Sequence, residues 1–233
     1  MQQVMPQVFT FTGLLVGRVY ALQDADGLTL VDTSISNAGD KILAQLQAAG
    51  HKPTDVKRIL VTHAHPDHIG SLPKLQQATS AEVWCHPLEK PVIEGKASVP
   101  RRPSGLRPPD VKFTPVPVAR TLNENETLPV LGGLQVIYTP GHAPGHVSFW
   151  QPERRMLITG DTIFYLLNHM TLPFAMLTVD AEENKRSIKK LLPLKPDNLL
   201  FGHGNPIVGQ AAPVLEAFAR RIGLTDTLTP AYE

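Results

Sequence analysis

The sequence predicts an α/β protein in which two mixed β-sheets pack face to face, with helices on their outer surfaces. The first supporting observation is a repeated order. Each half of the chain has short apolar or alternating runs first and helical periodicity later, which indicates two similar layers of sheet and helix. The second is composition, because 42% hydrophobic and 18% charged residues are ordinary for a globular protein. The 233 residues are enough for one domain spanning residues 1–233 with a sizeable core.

The first half of the chain predicts one sheet and two helices. Its strands are expected at Val8–Thr12, Val16–Leu22, Leu28–Val31, Arg58–Thr62 and Ala81–Cys85. A hairpin turn at Asp24–Gly27 joins the second strand to the third. Apolar residues at helical spacing predict a helix over Lys41–Ala49, which Gly50 ends. A second helix is expected over His68–Ala78.

The second half repeats this order. Its strands are expected at Val118–Leu122, Leu128–Val130, Leu134–Tyr138, Val147–Trp150, Arg155–Thr159 and Leu199–Gly204. Helices are expected over Ala181–Leu192 and Ala212–Ile222. The segment Thr162–Val179 between them is expected to be irregular.

Residues Pro87 to Pro117 differ from both halves, because eight prolines interrupt any helical or strand period. We predict an inserted loop or lid at about residues 87–117, since strand patterns resume after it. A flexible linker between domains is the alternative. Its arginines either form a solvated face or hold an anionic part of a substrate. They are Arg101, Arg102 and Arg107.

Charge and cysteine content exclude several classes of function. A formal net charge of +1 favours neither nucleic acid nor an anionic membrane as a partner. No apolar run reaches membrane-spanning length, and the first residues lack the pattern of a signal peptide. The single cysteine, Cys85, cannot form an internal disulfide, which fits a reducing compartment. We therefore expect an unprocessed cytoplasmic protein that acts on a small molecule.

Three histidines and an aspartate lie close together in the segment Thr62–His68, at the end of a predicted strand. Ligand sites of α/β proteins form at such strand ends. The proline of this segment favours an extended conformation at His65. His63 and His65 then point the same way, whereas Asp67 and His68 need a turn to point elsewhere. The motif therefore predicts two pairs of ligands aimed at two nearby metal ions. The alternative is that these are satisfied core or surface histidines, with Asp67 capping a helix.

Further ligand-type side chains follow other predicted strands. They are His142 or His146 in a Gly/Pro-rich loop, Asp161 after a glycine, and His203 between two glycines. Ligands from distant strand ends are typical of an enzyme site, whereas structural zinc sites are closed and often use thiolates. A donor set of His and Asp suits zinc, and also manganese or iron.

The complete pattern combines His-x-His-x-Asp-His with the loop Thr139–His146, Gly160-Asp161 and His203. It resembles the metallo-β-lactamase superfamily and, within it, the glyoxalase II-like hydrolases. The resemblance covers nearly the whole chain and implies an αββα sandwich with two divalent ions in a cleft at its edge. It also implies three sets of ligands: His63, His65 and His142 for the first ion, Asp67, His68 and His203 for the second, and Asp161 as the bridge. His146 would orient the loop or a ligand by a hydrogen bond.

The resemblance implies a dinuclear hydrolase, with zinc as the expected metal and manganese or iron as alternatives. The leading hypothesis is attack by a metal-bridging hydroxide on the carbonyl of a small ester, thioester or lactone. Asp67 is the candidate catalytic residue, and either Asp67 or metal-bound water would pass a proton to the leaving group. The alternatives are a mononuclear iron persulfide dioxygenase, a β-lactam hydrolase, and a domain that binds metal without turnover.

Substrate choice is expected to depend on the irregular segments, including Thr162–Val179. Candidates for the substrate pocket are Phe164, Tyr165 and His169. The apolar side chains of this segment either line an acyl pocket or pack against a second copy in a homodimer.

Overall fold

Two mixed β-sheets form the centre of the fold, in a computed structural model that describes residues 1–100 and 114–224. Within those residues the first sheet has seven strands in sequential order. They are β1 (Gln2–Met5), β2 (Val8–Thr10), β3 (Tyr20–Asp24), β4 (Gly27–Val31), β5 (Val56–Leu60), β6 (Glu82–Cys85) and β7 (Arg120–Thr121). Neighbours from β1 to β4 are antiparallel, and neighbours from β4 to β7 are parallel.

The second sheet is also mixed, and a separate two-stranded hairpin lies between two of its strands in the sequence. In chain order its strands are β8 (Thr127–Leu128), β9 (Leu134–Tyr138), β10 (Val147–Gln151), β11 (Met156–Gly160), β14 (Asn198–Phe201) and β15 (Ile207–Val208), and the hairpin is β12 (Phe164–Leu166) with β13 (His169–Thr171). Only β11 and β14 pair in parallel among these described strands. That pair sets the carboxyl ends of β11 and β14 side by side.

Helices cover the outer faces of both sheets. They are α1 (Gly39–Ala48), α2 (Pro66–Ile69), α3 (Leu72–Thr79), α4 (Lys90–Ile93), α5 (Ala181–Leu191) and α6 (Ala211–Arg221). The apolar faces of α1 and α3 pack in one core with the first sheet, and those of α5 and α6 pack in another with the second sheet. None of these helices, nor any other in the described residues, is long and apolar enough to cross a membrane.

A third core lies between the two sheets and explains the apolar character of the central strands. Successive residues of a strand point to opposite faces. Leu30 accordingly packs with the helices of the first layer while Val31 packs between the sheets, and Leu199 and Leu200 divide in the same way. Both faces of these strands are buried, so they are continuous apolar runs. The predicted two-sheet sandwich with outer helices is confirmed.

Two predicted elements of the first half are wrong in extent. The strand expected over Val16–Leu22 begins only at Tyr20, because Gly13 and Gly17, with φ of 67° and 69°, turn the preceding chain. The helix expected over His68–Ala78 is divided into α2 and α3. Pro73 has no N–H for a continuous helix and instead occupies the first turn of α3.

Two predictions of irregular structure are also corrected. Residues Phe164–Thr171 form the hairpin of β12 and β13, with the turn at Leu167 and Asn168 in the left-handed region. Its strands of three residues are too short to give a recognisable alternation. Within the Pro-rich segment, α4 is regular. Residues 101–113 of the predicted lid, with its three arginines, lie outside the described residues.

Candidate metal centre

The carboxyl ends of strands from both sheets converge on one cluster of imidazoles and carboxylates. The chain beyond β5 supplies four of these side chains, the β9 to β10 loop supplies His142, and β11 and β14 are followed by Asp161 and His203. All seven residues predicted as metal ligands lie in groups whose ligand atoms are within 4.8 Å of one another. The two-sheet architecture therefore brings together residues separated by up to 140 positions in sequence.

The first group, which we call the first triad, consists of His63, His65 and His142. Its ring centroids lie 4.5 to 4.9 Å apart. His65 has an extended backbone, with φ −85° and ψ 155°, directly before the proline that starts α2. The extended backbone allows His63 and His65 to face the same point.

The second triad consists of Asp67, His68 and His203. Asp67 and His68 lie in the short helix α2, and the His68 ring centroid is 4.2 Å from that of His63, so the two triads adjoin. His203 Nε2 is 3.1 Å from Asp67 Oδ2 and 3.4 Å from His68 Nε2. These three ligand atoms surround a second point beside the first.

Asp161 lies between the two triads. Its Oδ2 is 3.3 Å from His142 Nε2 and 3.1 Å from His203 Nε2. Its Oδ1 is 3.3 Å from His68 Nε2. The close approach depends on Gly202, because a Cβ at that position would lie 2.0 Å from Asp161 Oδ1. One carboxylate therefore faces ligands of both triads.

Asp32 orients the His68 ring through its Nδ1 atom and the His63 ring through Thr62, and sequence analysis did not identify it. Its Oδ2 is 2.8 Å from His68 Nδ1 and accepts a hydrogen bond from Thr62 Oγ1, while its Oδ1 accepts one from Thr62 N. The same Thr62 hydroxyl is 3.0 Å from His63 Nδ1. Hydrogen bonds of this kind fix the ring orientation of metal-binding histidines. Asp32 directly follows β4, so the strand-end rule used for the ligands could have found it.

His146 contacts the backbone of Asp161 rather than the ligand atoms. Its Nε2 accepts a hydrogen bond from Asp161 N at 2.9 Å, and its Nδ1 is 2.9 Å from Thr139 Oγ1. Nε2 must be the unprotonated nitrogen, so Nδ1–H donates to the threonine. His146 therefore fixes the position of Asp161 through its main chain.

His142 has a neutral partner of its own. Its Nδ1 is 3.3 Å from Thr178 Oγ1, which donates to the carbonyl of Phe174 at 3.0 Å. The threonine oxygen is then an acceptor for Nδ1–H, which leaves the lone pair of His142 Nε2 directed into the cluster. Thr178 lies in a segment without a strand or ligand motif, and no sequence signal marked it.

Unpartnered polar atoms show that the cluster suits a metal ion. Four buried side-chain nitrogen or oxygen atoms in the described residues make no hydrogen bond, and three of them are His63 Nε2, His142 Nε2 and Asp161 Oδ1. Leaving buried polar atoms unpaired is costly, so each such atom calls for an explanation. A divalent cation bound by imidazole nitrogens and a carboxylate would satisfy all three.

The two triads differ in protonation. Burial lowers the pKa of His63 and His142 well below the usual histidine value and that of His65 to about 4. Burial acts in the same direction on the second triad, but the charge of Asp161 overcomes it. The pKa of His68 is raised well above its usual value, and that of His203 is raised to about 9.

The carboxylates of the cluster are ionised. Burial disfavours their charged form, yet His68 and His203 hold the pKa of Asp161 well below its usual range. Burial also acts to raise the pKa of Asp67, but the charge of His68 and the hydrogen bond from His203 lower it to about 2. The cluster therefore offers two negative ligands among its imidazoles.

Comparison with known proteins identifies the family of this site. A family model described as the metallo-beta-lactamase superfamily matches residues 12–203, the range that contains all seven ligand-type residues. The chain belongs to this superfamily. The predicted resemblance is thereby confirmed, and the sheets and helices described above are its metallo-beta-lactamase fold. Membership supports a hydrolase with a site for divalent metal.

Three similar proteins illustrate the range of this superfamily. The probable metallo-hydrolase YflN of Bacillus subtilis is 29% identical over 219 residues, covering 84% of this chain and 83% of the relative. The hydroxyacylglutathione hydrolase GloC of Haemophilus influenzae is 29% identical over 181 residues, covering 75% of this chain and 81% of the relative. The structure of TTHA1623 in a di-iron-bound form is 30% identical with a TM-score of 0.67, covering 91% of this chain and 97% of that one.

The predicted pocket residues of this superfamily member lie at different distances from the cluster. The Phe164 ring is buried, with its centroid 4.5 Å from that of His203 and 6.2 Å from that of His142. Tyr165 stacks on Phe201, and its amide donates to the carbonyl of His203 at 2.8 Å. His169 is exposed on β13, and no described contact joins it to the cluster. Of the three, Phe164 is the one beside the ligands of both triads.

A cavity of about 370 Å³ opens beside the second triad. Part of its lining is His203, and its apolar lining comes from the segment before β3 and from the end of β12. These apolar residues are Phe11, Leu14, Leu15, Val16 and Leu166. Sequence analysis assigned no role to Leu14 and Leu15, and it placed Val16 in a strand. The cavity gives a small molecule a place next to the candidate metal centre.

Proposed function

We propose that this chain is a dinuclear metal-dependent hydrolase that cleaves a small ester, thioester or lactone. The observation that carries the proposal is the position of Asp161, whose carboxylate lies within 3.3 Å of nitrogens from both triads. A single-metal site has no need of a second complete set of ligands. The second triad, with its own carboxylate and two imidazoles, is such a set.

Each ion would have its own ligands in this proposal. His63, His65 and His142 would hold the first, Asp67, His68 and His203 the second, and Asp161 would contact both. When bound, the two ions supply a water nucleophile of lowered pKa and a Lewis acid for the substrate carbonyl. Zinc is the expected metal for this donor set, and manganese or iron also fit it.

Residues of the chain orient this centre and handle the proton. Asp32 and Thr62 fix the rings of His68 and His63, and His146 fixes the main chain of Asp161. Asp67 is the more exposed of the two carboxylates, with its side chain 26% exposed against 2% for Asp161. We assign to Asp67 the relay of a proton. Its ionised carboxylate can accept the proton that the attacking water loses and then release it to the leaving group, and its side chain has access to solvent.

The cavity beside the second triad has room for the apolar part of a carbonyl substrate next to polar side chains that include Arg18 and Asn205. The cavity of about 370 Å³ beside His203 is partly lined by Leu14, Leu15 and Leu166. An acyl chain of a few carbons would bury apolar surface there while its carbonyl reached the metals. The similarity to GloC, a hydroxyacylglutathione hydrolase, adds support for a thioester among these substrates.

The test is metal analysis of the purified protein by plasma emission, combined with a screen of esters, thioesters, lactones and β-lactams. We expect about two zinc or manganese ions per chain and hydrolysis of at least one of the first three classes. The variant His51→Ala is the matched control, because His51 follows α1 and belongs to neither triad. About one iron per chain, with oxygen uptake on a persulfide substrate, would overturn the proposal in favour of a dioxygenase.

A further inference from the structure

A buried carboxylate behind the first triad is not used by the chemistry above. Glu89 lies directly before α4, and only 1% of its surface is exposed. One oxygen, Oε2, accepts a hydrogen bond from Ala64 N at 2.8 Å. The other, Oε1, accepts one from Gly145 N at 2.7 Å. Both oxygens of this side chain are therefore held by main-chain amides.

The two amides belong to the two loops that supply the first triad. Ala64 lies between His63 and His65, at the end of the first sheet. Gly145 lies three residues after His142, in the loop between β9 and β10 of the second sheet. Glu89 therefore joins loops from different sheets at the point where their three imidazoles meet. We call this pair of hydrogen bonds the Glu89 bridge.

Gly145 makes the close approach of the bridge possible. A Cβ on Gly145 would lie 2.7 Å from Glu89 Oε1 and 2.8 Å from Glu89 Cγ. Gly145 is absent from the described glycines with positive φ, so its backbone conformation does not itself require glycine. The space that the carboxylate occupies is the reason for a glycine at this position.

The charge of Glu89 has no cationic partner among the described lysines and arginines. Burial raises the pKa of Glu89 above its usual value, and the hydrogen bonds from Ala64 N and Gly145 N oppose this shift. Both oxygens face N–H donors, so the ionised carboxylate is the form that suits this geometry. A buried charge is costly without compensation. The three imidazoles of the first triad are neutral ligands, and a divalent cation held by them would provide the missing positive charge.

We propose that Glu89 is a positioning residue of the metal centre, which fixes the two loops of the first triad and offsets the charge of a cation bound there. This inference rests on the metal centre of the proposed function. It assigns a role to a residue outside the His-x-His-x-Asp-His motif and outside both triads. The bridge acts through the main chain of residues next to the ligands.

The decisive variant is Glu89→Gln, which keeps the size of the side chain and replaces one acceptor oxygen by an NH2 group. That NH2 group must face one of the two N–H donors, so half of the bridge is lost. We expect affinity for the ion at the first triad to fall about 10- to 100-fold, the range typical of residues that orient metal ligands. Competition with a chromophoric chelator measures it, and the absorption spectrum of Co²⁺-loaded protein reports which site has changed.

Stability distinguishes this role from a purely structural one. Loss of a structural contact lowers the melting temperature of unloaded and loaded protein alike. Glu89→Gln removes a buried charge but leaves one main-chain N–H unpaired, and these effects oppose each other, so we expect the melting temperature of the unloaded variant to change little. The increase in melting temperature on loading with Zn²⁺ should be smaller than in the native protein, because weaker binding contributes less stability.

Two further variants keep the inference testable if the first folds poorly. Gly145→Ala should weaken Zn²⁺ binding in the native background and have little added effect in Glu89→Ala, whose shortened side chain leaves room for the new methyl group. Glu94→Gln is the matched control. Glu94 caps the end of α4 and accepts from Val118 N and Lys96 Nζ, and it contacts neither loop of the first triad.

The outcomes separate this inference from the proposed function. Native protein with two ions and Glu89→Gln with unchanged affinity at both sites would overturn the role of Glu89 while leaving the hydrolase intact. Equal destabilisation of unloaded and loaded Glu89→Gln would also overturn it. Native protein that binds no divalent metal would overturn both.

Discussion

The two triads of the centre differ in charge, in protonation and in what holds them. The first has three imidazoles whose pKa values are lowered by burial, and hydroxyl groups of Thr62 and Thr178 face two of them. The second has a carboxylate and two imidazoles whose pKa values are raised by Asp161. There the Asp32 carboxylate contacts His68, and Asp67 is partly exposed.

This difference shows how charge is balanced within each triad when no cation is bound. Neutral imidazoles in the first triad present free lone pairs, so a cation need not displace a proton there. In the second triad, protonated His68 and His203 face Asp67 and Asp161, and the protons occupy the positions that a cation would take. If both triads bind metal as proposed, metal and protons would therefore compete strongly at the second triad and weakly at the first.

The largest effect is expected from removing the one carboxylate that the two triads share. Asp161→Ala leaves His142 Nε2 and His203 Nε2 without their common partner. We expect bound metal to be lost from both triads after dialysis, and hydrolysis to fall by more than about 100-fold, beyond the usual effect of residues that only orient ligands. Plasma emission and initial rates measure the two losses.

Gly202→Ala provides an independent check on Asp161, because its Cβ would collide with Asp161 Oδ1 while leaving the carboxylate present. Gly202→Ala should therefore lower the metal content, as Asp161→Ala does. If Asp161→Ala kept full metal content and full hydrolysis, the bridging position would have no role and the two triads would act separately.

The meeting of the seven ligand-type residues at one site was largely predictable from sequence, because one physical rule covered it. Each ligand follows a strand, and strand ends of both sheets meet at one edge. The rule needs only short apolar runs followed by His or Asp. It did not choose between His142 and His146 without the resemblance. In the structure His146 Nε2 is already occupied by Asp161 N, which a sequence does not display.

The supporting residues were harder to predict, for a different physical reason. Glu89 and Thr178 lie in segments without strand periodicity, and they act through contacts with residues 25 to 56 positions away in the chain. The hairpin Phe164–Thr171 was missed because strands of three residues give no alternation. The sequence pattern predicts which side chains follow the strands at the site. The residues that orient those side chains are determined by tertiary contacts, which the pattern does not show.

The second prediction removes one ligand from each triad in turn. His142→Ala and His203→Ala should each reduce the metal content from about two ions to about one per chain. The ion that remains in His203→Ala, held by three neutral imidazoles, should resist a chelator at pH 6. The ion that remains in His142→Ala should be removed at that pH, since protons compete for its ligands. Chelator competition at pH 6 and pH 8 tests the difference, and equal sensitivity of the two variants would contradict it.

The third prediction measures proton competition directly in native protein. At pH 7.5, His203 has a pKa of about 9 before loading, whereas that of His65 is about 4. Loading the second triad should therefore release about one proton or more, and loading the first should release close to none. The release should disappear as the pH rises above 9, where His203 is already neutral. Calorimetric titration with Zn²⁺ in buffers of different ionisation enthalpy gives the number, and equal release at both steps would contradict the comparison.

The smallest effects are expected from the groups behind the rings, and here too the triads should differ. Thr178→Val removes the neutral hydroxyl that faces His142 Nδ1. The His142 side chain is only 1% exposed and still packs against Phe164, so its ring remains restrained. Asp32→Asn instead replaces a charged partner of His68, at 2.8 Å, by a neutral amide. Affinity at the first triad should fall less than about 10-fold for Thr178→Val, whereas the second triad should lose about 10- to 100-fold for Asp32→Asn. Competition with a chromophoric chelator compares the two, and a larger loss for Thr178→Val would show that charge is not what distinguishes the triads.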